Sequence, residues 1–133
     1  MTITNEDNMQ LMARYEDNHF DLAIVDPPYG IIASGGQKGG VSEKYKNRAY
    51  TNGSIDDWDI KPNEQYFKEL FRVSKNQVIW GGNYFDLPPT RGIIFWDKVQ
   101  PFETYSKGEL AWTSFTYPAK LFRYDNRYKG KIH

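Results

Sequence analysis

The sequence predicts an α/β fold, and three observations lead there. Leu22-Ala23-Ile24-Val25 is an unbroken apolar run, the pattern of a strand buried on both faces as in a parallel sheet. Tyr66, Phe67, Leu70 and Phe71 recur at helical spacing. A second apolar run, Val78-Ile79-Trp80, follows that helix. Strand, helix and strand thus succeed one another as in a βαβ unit with a right-handed crossover.

Taken in order, residues 5–15 read as a short helix with Met9, Met12 and Ala13 on one side. Residues 20–26 form the first strand. Pro62 sits where a first helical turn tolerates proline, because the N–H it lacks would have no partner there. Residues 77–80 form the second strand and residues 92–96 the third, with two more at 110–115 and 120–124. The sheet is expected to be mainly parallel with helices packed on its faces. The shorter connections late in the chain leave room for an antiparallel strand there.

The 133 residues predict a single domain spanning 1–133, without internal repeats or low-complexity tracts. Residues 34–53 hold five of the eleven glycines and most of one basic cluster. They read as a mobile, basic, glycine-rich loop with a functional role.

Composition narrows the class of protein. Hydrophobic residues at 39% and charged residues at 26% fall in the globular range. The absence of cysteine rules out disulfides and thiolate metal sites and suits a cytoplasmic setting; no metal site is expected. Residues 1–10 are polar and resemble no signal peptide, and no run approaches the roughly 20 apolar residues of a membrane span. No membrane partner is expected.

Net charge is zero but unevenly spread. Residues 1–31 carry six acidic groups against Arg14 alone, whereas Lys38, Lys44, Lys46 and Arg48 face only Glu43. Residues 120–133 carry five Lys and Arg against Asp125. Two basic segments on a neutral chain suit a local phosphate-binding surface; an ordinary loop and a solvated tail are the alternative.

The strongest chemical signal is Asp26-Pro27-Pro28-Tyr29 at the carboxyl end of the first strand. Open α/β sheets bind ligands there. Two prolines in succession fix a stiff, extended turn. A carboxylate, a peptide carbonyl and an aromatic ring are thereby expected to converge. That set suits a flat heterocycle bearing an amino group: Asp26 accepts one amino hydrogen, the Pro27 carbonyl accepts the other, and Tyr29 stacks on the ring. Drawing both hydrogens toward acceptors leaves the nitrogen lone pair ready to attack an electrophilic methyl group. The plainer reading is a turn carboxylate before a loop stop.

The stretch Ala23-Ile24-Val25-Asp26-Pro27-Pro28-Tyr29-Gly30 is similar to the catalytic motif of the DNA N6-adenine and N4-cytosine methyltransferases. Val78-Ile79-Trp80-Gly81-Gly82-Asn83-Tyr84-Phe85 resembles the next strand and turn of that family. Residues 93–98 and 108–115 resemble segments of phage-type and restriction-modification members. The resemblance runs from about residue 5 to residue 133.

It implies a partial Rossmann-like methyltransferase sheet in a bacterial or phage-encoded, cytoplasmic enzyme. The activity implied is adenine-specific N6 methylation of DNA with S-adenosylmethionine as donor. N4-cytosine methylation is the alternative within the class, and a non-catalytic nucleic-acid- or partner-binding remnant the alternative outside it. A protein-glutamine methyltransferase fits less well, because relatives of that kind tend to carry Asn where Asp26 stands. Asp26, Pro27, Pro28 and Tyr29 are then the catalytic residues. Gly81, Gly82 and Asn83 line the same cleft or simply shape a turn and cap a helix. Phe115 is the candidate for the second face of the base pocket, since a flipped base lies between two apolar groups. Glu109 either braces the motif or forms a surface ion pair. Lys38, Lys44, Lys46 and Arg48 would neutralise DNA phosphates without reading sequence.

The glycine-rich strand and turn that hold the donor in this family are not found in the sequence. In one family order the catalytic half comes first, so a cofactor half is expected to follow His133, and this chain alone should bind S-adenosylmethionine weakly or not at all. The strand before Asp26 is then expected at an exposed, apolar sheet edge. Such an edge invites a homo-oligomer or pairing with the absent half.

Overall fold

The computed structural model describes residues 2–30, 59–103 and 105–125. Helix α1 (Asn8–Met12) starts where the Asp7 carboxylate accepts the Gln10 N–H at 3.0 Å. It is shorter than the expected 5–15. Strand β1 (Ala23–Val25) is shorter than 20–26, since Pro27 and Pro28 cannot donate to a ladder and Phe20 makes only an isolated bridge to Ser74.

Helix α2 (Glu64–Val73) is capped by Asn63, whose side chain accepts the Tyr66 N–H at 3.1 Å. Pro62 therefore precedes the cap instead of lying in the first turn. Strand β2 (Gln77–Trp80) matches its expected bounds. A single 3₁₀ turn (Gly82–Tyr84) leads on to β3 (Ile93–Asp97), β4 (Gly108–Thr113) and β5 (Lys120–Arg123).

The five strands form one sheet in the order β1-β2-β4-β3-β5. β1 and β2 are parallel, as the βαβ pattern predicts, and so are β3 and β5. β4 runs antiparallel to both β2 and β3. The sheet is thus evenly mixed, not mainly parallel. A short link suffices for the β3–β4 pair, whereas a parallel return needs a crossover of a dozen residues or more.

Helices cover only one face among the described residues, a second departure from expectation. Met12 of α1 and Phe67, Leu70 and Val73 of α2 bury against Ile79 and Phe85, with Ala23, Val25, Tyr29 and Trp112 at the margin. These strand residues share one face by alternation. Opposite them, Trp80 and Trp96 meet edge to face at 6.3 Å beside Ala111, which is fully buried.

Arg72 fastens α1 to α2. Its guanidinium donates to the Met12 and Tyr15 carbonyls and pairs with Asp17 and Glu69. Those two carboxylates hold it charged, with its pKa raised above the ordinary value.

β1 lies at the sheet edge, where Ile24 is 64% exposed. It is not the strand buried on both faces that its composition suggests, because among the described residues the helices pack on the face of Ala23 and Val25 and leave that of Ile24 uncovered. No helix among the described residues is long and apolar enough to cross a membrane.

Candidate functional site

Register brings the two sequence motifs together. Val25 pairs with Ile79 in the parallel β1–β2 ladder, so the chain leaves both strands at one end of the sheet. There the Asp26 motif and the Gly81 turn lie side by side.

Asp26 is exposed at this end, Pro27 is buried, and Pro28 and Tyr29 are half-buried. The Tyr29 hydroxyl donates to Asp26 Oδ1 at 2.7 Å. Its ring stacks on Tyr84 with centroids 4.7 Å apart and planes 19° apart, and meets Phe85 edge-on at 6.1 Å. Burial, the bond to Asp26 and the nearby negative charges of Asp26 and Glu109 all push the phenol pKa up, so Tyr29 stays neutral. Past the motif, Gly30 takes φ +68° and donates its N–H to the buried Asp59 carboxylate at 3.0 Å.

Gly81 is fixed by two demands at once. Its φ is +66°, and a Cβ there would lie 2.2 Å from a Tyr29 ring carbon. Only glycine meets both. Gly82 serves packing as well: a Cβ would come within 2.4 Å of the Trp112 Cβ. The positive φ expected of this pair belongs to Gly81, while Asn83 sits inside the 3₁₀ turn and does not cap a helix.

Tyr29, Gly81, Asn83, Tyr84, Phe95 and Glu109 help line a cleft of about 430 Å³, within the size range of small-molecule sites. Tyr84 and Phe95 are 42% and 41% exposed, leaving aromatic surface free for a planar ligand. Gly108 lets Phe95 lie close, since a Cβ would come 2.4 Å from that ring.

Phe115 does not join this site. β4 is antiparallel to β2, so Gly108 and Glu109 lie at the site end and Phe115 at the other. There Phe115 stacks on Tyr117 at 5.4 Å and its carbonyl lies beside Gly92. Parallel and antiparallel placement of one strand exchange its ends; the short connections late in the chain allowed an antiparallel strand, but the choice of Phe115 did not follow that direction through.

Glu109 is ion-paired with Lys98, whose ammonium lies 5.3 Å from the centre of the Trp96 ring. Of the two roles weighed for Glu109, the ion pair is the one observed; its charge also contributes to raising the Tyr29 pKa. Sequence reasoning missed Tyr84 and Phe95 as cleft walls. Tyr84 was findable, because it follows the two glycines of a motif already singled out. Lys38, Lys44, Lys46 and Arg48, and the loop at 34–53 that carries them, lie outside the described residues.

Comparisons with known proteins give no family: no protein-family model, no curated protein and no solved structure matches the chain.

Proposed function

We propose that this chain is the target-base half of an amino-group DNA methyltransferase acting on adenine N6. One observation carries the reading: an exposed carboxylate, Asp26, is tied to the ring of Tyr29, and that ring walls a cleft with aromatic surface to spare. With Oδ1 engaged by the phenol, Oδ2 remains to accept an amino hydrogen from a base stacked beside Tyr29. Pro27 is buried, so in this arrangement the acceptor that a ligand reaches first is the carboxylate. Withdrawing that hydrogen raises the lone-pair character of the amino nitrogen.

S-adenosylmethionine would supply the methyl group. The described glycines do not fit a cradle for it. Gly81 is filled by Tyr29, and Gly82 by Trp112, and they lead into a three-residue turn instead of a phosphate- or ribose-binding helix. The acceptor-side role of Asp26 and Tyr29 stands independently of where the donor binds. Extruding a base costs a few kcal/mol, which stacking in the cleft offsets.

The test compares adenosine with purine riboside, which lacks only the amino group. The full chain should bind adenosine more tightly, and Asp26→Asn should remove most of that preference, about tenfold. Equal binding of the two nucleosides by the unaltered chain would refute the reading. Tighter binding of cytidine than of adenosine would move the assignment to N4 of cytosine.

A further inference from the structure

We propose that Tyr84 is the second stacking ring of the base site, so that a planar heterocycle is held between Tyr29 and Tyr84. This rests on the reading of the cleft as a nucleobase site and adds a specific residue to it. The two rings are already nearly parallel at 4.7 Å, and both line the cleft. A base sliding between them gains a stacked face on each side, and the pair need open only by one ring thickness.

What holds each ring decides which one moves. Tyr29 is bonded to Asp26, set against Gly81 and packed at the edge of the core beside Phe85. Tyr84 ends a single 3₁₀ turn and is 42% exposed. Tyr84 therefore swings, and Tyr29 stays.

The position suits the chemistry. Asp26 Oδ1 lies 2.7 Å from the Tyr29 hydroxyl oxygen, so the carboxylate sits at the rim of the ring on which the base stacks. An exocyclic amine on that base faces the carboxylate edge-on. With no base bound, Tyr84 occupies the place the heterocycle takes and shields the face of Tyr29 from water. Phe115, at the far end of β4, cannot serve.

The full chain is titrated with adenosine 5′-monophosphate and followed by the aromatic NMR signals, with ribose 5-phosphate as the control. Saturable binding should shift the ring signals of both Tyr29 and Tyr84. Tyr84→Ala and Tyr84→Leu should each weaken binding about tenfold, the usual scale for losing one stacked ring, while Tyr84→Phe binds close to the unaltered chain. An unchanged melting temperature in these variants excludes unfolding as the cause.

Binding that survives Tyr84→Ala undiminished, or strengthens, but is lost in Tyr29→Ala would overturn the role of Tyr84 and leave the base site standing. A chain that binds the nucleotide no better than ribose 5-phosphate would overturn the base site itself, and this proposal with it.

Discussion

The two ends of the sheet differ in how they are held. At the β1–β2 end, two helices cover one face, and the buried apolar side chains Met12, Phe67, Leu70, Val73, Ile79 and Phe85 form a single cluster. At the β3–β5 end, all four residues of β5 are exposed, with Leu121 at 70% and Phe122 at 54%. The candidate site straddles the two. Asp26, Tyr29, Gly81 and Tyr84 come from the covered half, while Phe95 and Glu109 come from strands of the other. Asp26 and Tyr29 are held by the well-packed half, where Gly81 and Phe85 fix the Tyr29 ring, and the open half supplies the facing wall.

Three substitutions would break or sharpen that contrast. The largest effect is expected at the centre of the covered half. Ile79 is fully buried, so Ile79→Ala should cost about 2–5 kcal/mol in denaturant unfolding. A cost below that range would mean the cluster is not the stabilising core.

Gly81→Ala should come next, at about 1–3 kcal/mol, because alanine must adopt a left-handed φ and drive its Cβ into Tyr29. The same variant should unseat the Tyr29–Asp26 bond, visible as an altered phenol titration. A normal titration in a folded Gly81→Ala protein would show that the contact is not what positions Tyr29.

The smallest effect belongs to the open half. Phe122→Ser on β5 should change stability by no more than about 0.5 kcal/mol, and amide exchange there should be faster than in β2. A large loss would reveal that β5 is buried in solution by something that the described residues do not include.

Much of the covered half was legible in the sequence, because its signals are local. The periodicity of Tyr66, Phe67, Leu70 and Phe71 gives a helix whose buried and half-buried residues follow that spacing. Val78-Ile79-Trp80 gives β2 at its observed place. The proline pair marks the end of β1. Phe95 was not legible as a site residue, because an aromatic residue in a strand looks alike whether it faces a cleft or a core; only the place of Tyr84 after Gly81-Gly82 marked it. Phe115 misled for a related reason. Its closeness in sequence to Glu109 says nothing of which end of β4 reaches the site.

The sequence alone determined the succession of strands and helices, with bounds shifted by several residues at α1, β1 and β4, where the chain must stop pairing, and that Asp26 and Tyr29 leave one strand within three residues of each other. These follow from side-chain periodicity and from backbone groups that proline lacks. Tertiary structure alone decided how β3, β4 and β5 are ordered and that β4 runs antiparallel to β2, hence the stacking of Tyr29 on Tyr84, the fit of Tyr29 against Gly81, and the exclusion of Phe115. Those depend on contacts between residues far apart in the chain, and the alternation of apolar side chains reads the same whichever way a strand runs.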